Sequence, residues 1–366
     1  MTALDTAACE LFGVRYPIVQ TGMGWVSGPG LTAATANAGG LGILAGATMS
    51  YAELAAAIDQ TRELTSKPFG VNLRADAADA RRRVDLLISA GVRVASFALA
   101  PRPELIARLK EAGLVVVPSV GARRHAEKVA AWGADAVVVQ GGEGGGHTGQ
   151  VATSILLPQV VDAVDIPVIA AGGFFDGRGL AAALCYGAAG IAMGTRFLLT
   201  SDSAVPEAVK RLYLAASVAD TVVTDALDGV PQRLLRTEAT RRLAVQSRAA
   251  RLARAARSAA ELRRLTGSSW IALGREGLAM RREHGLPLGQ VLLAATTPAR
   301  LRAAMVQGSP DYGIMATGQV AGVIEDLPSC AELIERIVAQ AQAVLGTLTE
   351  SGPAGPGQAA GREEDP

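Results

Sequence analysis

A closed (β/α)8 barrel of the TIM type, with a mostly helical insertion after its eighth strand, is the fold class the sequence predicts. Three observations predict it. Short β-branched runs alternate with longer Ala-rich, helix-like stretches through the first 200 residues. The runs number eight. Most are apolar at every position, the pattern of parallel strands covered on both faces. An open doubly wound sheet is the competing architecture, and it usually stops at five to seven strands, so the count favours the barrel.

The strands are taken in order as "YPIVQ" (16–20), "LGILAG" (41–46), "FGVNL" (69–73), "VRVASFAL" (92–99), "LVVVPSV" (114–120), "DAVVVQG" (135–141), "IPVIAAGG" (166–173) and "AGIAMGTRF" (189–197). Helical stretches such as "YAELAAAIDQTREL" (51–64) and "RPELIARLKEAG" (102–113) lie between them. The second has Pro103 near its start and Gly113 at its end, the residues that favour those two ends. After Phe197 the pattern changes. Residues 203–215 and 239–300 look helical, and "TVVTDALDG" (221–229) hints at a strand. Residues 311–348 read as a glycine-containing turn followed by a long amphipathic helix, the last barrel helix displaced by the insertion. The domain reading is therefore a barrel from 11–200 and 311–348, an Arg-rich insertion over 203–310, and a disordered tail at 349–366, which has no apolar residue larger than alanine or proline.

The 366 residues are 49% apolar and 19% charged, with a formal net charge of +1. That composition is globular and argues against a nucleic-acid binder. Cys9, Cys185 and Cys330 are too scattered for a zinc site or a disulfide framework, so no metal is expected. No signal peptide and no membrane span are expected, and a reducing, cytoplasmic setting fits.

In such a barrel the chemistry lies at the C-terminal ends of the strands, and the glycine clusters fall there. "QTGMG" (20–24) follows the first strand and "AGAT" (45–48) the second. Asn72 ends the third. "AAGGFFDGRG" (170–179) and "MGTRF" (193–197) follow the seventh and eighth. Those two adjacent ends are where barrels tend to hold phosphate, and glycine lets a ligand approach backbone N–H groups. Neither motif fits a dinucleotide fingerprint or a P-loop. The reading is the phosphate of a flavin mononucleotide or a sugar phosphate, with tight barrel packing as the plain alternative.

"VVVQGGEGGGHTGQ" (137–150) packs five glycines into six residues around Glu143 and ends near His147. The glycines read as room for a planar cofactor or substrate, and His147 as an acid or base above it. Glu143 reads either as the base or as a charge at a helix start. His125 and His284 sit among charges and read as surface residues. No G-x-S-x-G elbow, Ser/His/Asp grouping or glycosidase-like carboxylate pair is visible, and no Lys follows the sixth or seventh strand for Schiff-base chemistry.

Between Arg233 and Arg264 the chain carries ten arginines and two glutamates. This segment reads as a solvated helix face, or as a positive rim for an anionic ligand such as coenzyme A or for a partner subunit.

"PIVQTGMGWV", "AGGLGILAGATMS", "PFGVNL", "GGEGGGHTG", "PVIAAGGFFDGRG" and "GAAGIAMGTRFLLT" together resemble the nitronate monooxygenase (2-nitropropane dioxygenase) family, over roughly 11–200 and again at 311–325. The resemblance implies FMN on a TIM barrel with a helical insertion. It assigns Gly22, Met23, Asn72, Gln140, Gly172, Gly173, Gly194 and Thr195 to flavin contact, adds Gln319 within "TGQVAG" (317–322), and places His147 at the catalytic position. The family includes oxidases of alkyl nitronates with O₂, reducers of enoyl thioesters with a nicotinamide, and an actinobacterial branch acting on CoA thioesters from steroid C and D rings. The whole chain is most similar to that last branch. The resemblance thus implies an FMN-dependent oxidoreductase carrying out α,β-dehydrogenation of such a thioester, or its reverse. Arg248, Arg251 and Arg254 are then candidates for the CoA end. A nitronate monooxygenase is the alternative, and a flavin-binding subunit without turnover a third. A homodimer, with O₂ or a nicotinamide as redox partner, is expected from family behaviour.

Overall fold

A computed structural model of the chain describes residues 3–244 and 288–350. Eight parallel strands close into a barrel. They are β1 (Ile18–Gln20), β2 (Leu41–Leu44), β3 (Gly70–Leu73), β4 (Val94–Phe97), β5 (Val115–Val120), β6 (Val137–Gln140), β8 (Val168–Ala171) and β9 (Gly190–Met193); the two-residue β7 (Gly146–His147) lies outside the barrel. Val19 of β1 closes the ring, pairing with Leu41 on one side and Ala192 on the other. Each of the eight runs expected from the sequence supplies one barrel strand.

The pleat explains why those runs are apolar throughout. Val19, Ile43, Val94, Val117, Val138 and Ile169 share one core inside the barrel, and Ala8 and Phe12 of α1 (Ala7–Phe12) join it from the N-terminal end. Their chain neighbours Leu44, Ala95, Val116, Val137 and Val168 point outward into the helix layer. Successive side chains in a strand face opposite ways, so both faces demand apolar residues. Fully burying one such Val or Leu contributes roughly 1.5–3 kcal/mol.

The outer layer is α2 (Pro29–Asn37), α3 (Tyr51–Leu64), α4 (Ala80–Ser89), α5 (Pro103–Glu111), α6 (Arg123–Ala131), α7 (Thr153–Val161) and α8 (Gly177–Cys185). Local chemistry sets their ends. Ser50 Oγ accepts from Glu53 N, and Glu53 returns a carboxylate to Ser50 N at 2.7 Å, a complete capping box for α3. Pro103 opens α5, and Gly113 at φ +80° turns the chain after it.

After β9 come α9 (Thr195–Leu198), α10 (Glu207–Leu214), the antiparallel hairpin β10 (Thr221–Thr224) and β11 (Gln232–Leu235), α11 (Glu238–Ala244), α12 (Leu288–Met305) and α13 (Cys330–Glu350). The strand that "TVVTDALDG" hints at is β10, and β11, not expected from the sequence, pairs with it as a hairpin among the helices that follow the barrel. The long helix α13 packs against both α8 and α2. Gly177 lies so close to the Ile337 and Ala341 backbone that a side chain there would collide with them. This is the place of the eighth barrel helix, as the sequence leads one to expect. Among the described residues no helix is long and apolar enough to cross a membrane. Arg248, Arg251, Arg254, His284 and residues 351–366 of the tail lie outside the described residues.

Candidate active site

His147 lies beyond the C-terminal end of β6, on the expected face of the barrel. Three backbone anchors place it. Its carbonyl accepts from the Gln140 Nε2 amide at 2.7 Å, its strand β7 pairs in register with Gln232 of β11, and the next N–H, of Thr148, donates to the Pro231 carbonyl at 3.1 Å. The imidazole itself is 60% exposed. Its Nε2 meets Asp228 Oδ2 at 2.7 Å.

Asp228 sits in the turn of the β10–β11 hairpin, and its other hydrogen bonds hold it there. Gln232 Nε2 donates to Oδ2 at 2.6 Å and the Val230 N–H to Oδ1 at 3.1 Å. Gly229, at φ +85°, makes the turn. Burial pushes the Asp228 carboxyl up, but His147, Gln232 and Val230 outweigh it and hold it below its ordinary value. Asp228 is not legible beside His147 in the sequence, because it comes from 81 positions downstream.

The contacts of Glu143 match the second of its two readings. Its carboxylate accepts from the Thr153 N–H at 3.0 Å and from Thr153 Oγ1 at 2.8 Å, at the first turn of α7. It is a charge at a helix start. The glycines around it are corrected in role. Side chains at Gly141, Gly144 and Gly145 would collide with Thr153, with the Gln140 side chain and with the Thr317–Gly318 backbone respectively. They are small so that the loop can pack on the protein. Only Gly146, at φ +68° with open space where a Cβ would stand, matches the expectation of room.

The residues singled out for a cofactor converge on this face from several strands. Gly22 packs on Asn72, whose amide reaches Ser96 Oγ at 3.4 Å. Gly194 faces Thr21 and the Met23 sulfur. Thr195 Oγ1 accepts the Gly318 N–H at 2.9 Å, and the Gln319 N–H donates to the Glu143 carbonyl at 3.0 Å. The segment 317–322 therefore sits between the sixth loop and β9. Gly172 and Gly173 take φ +92° and +89°. Among the described residues the N–H groups of Gly173, Gly194 and Thr195 find no protein acceptor. These three donors follow the C-terminal ends of the adjacent strands β8 and β9, where backbone N–H groups are open to an anion.

Besides Asp228 and Gln232, the roles of three further residues are not legible in the sequence. Arg233 reaches from β11 to the Gly142 carbonyl at 2.9 Å and to Thr221 Oγ1 at 2.7 Å, pinning the hairpin to the sixth loop. Trp25 takes φ +60°, a conformation that costs a bulky residue of order 1–3 kcal/mol. Ser27 Oγ accepts from the Met23 N–H at 2.9 Å and so fixes the loop that bears Met23. Asp176 and Asp202, which follow the last two barrel strands, cap α8 and bind the Cys330 N–H respectively.

With this geometry in place, the comparisons with known proteins agree with one another. The sequence pattern of the nitronate monooxygenase family matches residues 5–83 and 78–340. A Mycobacterium tuberculosis protein named (3aS,4S,5R,7aS)-5-hydroxy-7a-methyl-1-oxo-octahydro-1H-indene-4-carboxyl-CoA dehydrogenase is 63% identical over 94% of this chain and 98% of its own. A Rhodococcus jostii protein of the same name is 60% identical over 93% and 97%. FabK from Thermotoga maritima superposes with a TM-score of 0.77 at 34% identity, covering 94% of this chain and 98% of that one.

Proposed function

The chain belongs to the nitronate monooxygenase family, and from that premise we propose that it is an FMN-dependent dehydrogenase of a bicyclic, steroid-derived CoA thioester. The observation that carries this reading is the 63% identity, across nearly the whole of both chains, to the mycobacterial dehydrogenase named for such a thioester.

The residues present fit FMN. The free N–H groups of Gly173, Gly194 and Thr195 would hold its phosphate, and Gly22, Met23, Asn72, Gln140, Gly172 and Gln319 would be its further contacts. When bound, FMN supplies the two-electron redox chemistry. The protein's own part is acid–base work and positioning. In the substrate class named above, the ring carbon that bears the thioester carries a hydrogen made acidic by the adjacent carbonyl. His147, open to solvent on one side and anchored on the other, takes that proton. Glu143 holds the start of α7 and leaves the proton transfer to the imidazole. The phosphates of CoA are assigned to Arg248, Arg251 and Arg254 on charge alone. Replacing all three by Gln should raise KM for the thioester with little change in kcat, and an unchanged KM rejects that assignment.

Anaerobic stopped-flow of the FMN-loaded protein tests the main reading. Mixing with the indene-carboxyl-CoA thioester should bleach the absorbance near 450 nm, while an alkyl nitronate should not. Bleaching by the nitronate alone would move the chain to the nitronate-oxidising side of its family.

A further inference from the structure

We propose that Asp228 is the positioning residue for His147 and that it commits the imidazole to one tautomer, with the proton on Nε2 and the lone pair on Nδ1, so that Nδ1 is the atom that accepts the substrate proton. This inference rests on the function proposed above and assigns the atom that performs its first step.

The geometry leads there directly. Nε2 lies 2.7 Å from Asp228 Oδ2. A carboxylate accepts and does not donate, so a hydrogen on Nε2 completes that contact. Burial pushes the Asp228 carboxyl up, and His147, Gln232 and Val230 outweigh it and hold the carboxyl below the ordinary carboxylate value. Its position is set independently of the histidine by Gln232 and Val230, and Gln232 is also the residue opposite His147 in the β7–β11 pairing. One hairpin thus fixes both the backbone of His147 and the acid that faces its ring. Asp228 is 19% exposed against 60% for His147, so the acid is the sheltered partner and the ring projects past it. A neutral imidazole carries one N–H and one lone pair. With the N–H spent on Asp228, the lone pair falls on Nδ1.

The step balances simply. The substrate C–H bond breaks, its electron pair stays on the substrate, and the proton forms a bond to Nδ1. The resulting imidazolium carries its positive charge beside the Asp228 carboxylate, which stabilises it without itself being protonated.

The chain has three histidines, His125, His147 and His284, so selective labelling gives a readable test. In the FMN-loaded protein labelled with ¹⁵N-histidine, the two ring nitrogens of His147, assigned by the signals that vanish in His147→Ala, should report a proton on Nε2 and none on Nδ1 at pH above the ring's titration. Asp228→Asn should lose that fixed tautomer and slow thioester-driven bleaching by roughly tenfold or more, with the half-saturating thioester concentration changed less than twofold. Asp228→Glu should recover part of the rate. A wild-type ring protonated on Nδ1 overturns the proposal. So does an Asp228→Asn rate within twofold of wild type while His147→Ala abolishes bleaching. A His147→Ala protein that bleaches normally overturns the functional reading first, and this inference with it.

Discussion

Thr195 Oγ1 accepts the Gly318 N–H at 2.9 Å. The two residues are 123 positions apart, on either side of the insertion, and their contact is where the returning chain rejoins the end of β9. Thr195 is buried, so the Gly318 N–H has no water to turn to if the hydroxyl is lost. Thr195→Val keeps the shape and leaves that donor unsatisfied, which costs about 1–3 kcal/mol. We expect a lower urea midpoint and weaker FMN retention on dialysis. Unchanged values on both counts would mean that the contact joins nothing of consequence.

The packing role of the sixth-loop glycines separates two substitutions that look alike in sequence. Gly141→Ala pushes a methyl group into the Thr153 backbone, a collision of the kind that costs typically 1–3 kcal/mol or more. Gly146→Ala meets open space and pays only for its left-handed φ, about 1–2 kcal/mol. Denaturation should find Gly141→Ala clearly the less stable. Equal midpoints would return the loop to the reading in which all its glycines simply leave room.

Glu143→Gln removes the charge at the start of α7 while keeping most of its hydrogen-bond capacity. We expect a stability loss of about 0.5–2 kcal/mol and a bleaching rate within tenfold of wild type. A fall of about 10²–10⁴, the usual loss for a general base, would make Glu143 the base after all.

Asp228 gives the site a defined response to acid. Its folded-state value lies below the ordinary carboxylate value, so the native state keeps the charge to lower pH than the unfolded chain does. The stabilisation is fully present above about pH 5, roughly a unit above the ordinary carboxylate value, and is lost as pH falls through the lower folded value. Asp228→Asn should therefore reduce stability at neutral pH, and its deficit against wild type should shrink in acid. A deficit that is constant from pH 7 down to pH 3 would contradict the ionised, hydrogen-bonded carboxylate.

The barrel is legible in the sequence because its physics is local. Val94, Ala95 and Val116 must be apolar whichever face they take, and the runs stand out for that reason. His147 is legible too, since strand count alone places its loop at the working end. Asp228 is not. Its local sequence, "DALDG" (225–229), reads as an ordinary turn, and only the tertiary pairing of β11 with β7 brings it to the histidine. The glycines mislead for a related reason. A small residue is required equally by an approaching ligand and by an approaching backbone, and Gly145 against Thr317–Gly318 is the second case. The arginines Arg248, Arg251 and Arg254 carry charge that any sequence reading notices, and charge alone specifies no docking geometry.

The central claim is that His147 performs the proton transfer at the flavin face. The direct measurement is anaerobic stopped-flow of FMN-loaded His147→Ala with the indene-carboxyl-CoA thioester, beside a spectrum of the flavin it retains. The His147 ring stands 60% exposed, so His147→Ala should keep full FMN occupancy while bleaching slows by about 10²–10⁴. Bleaching at the wild-type rate, or a protein that no longer holds FMN, would contradict it.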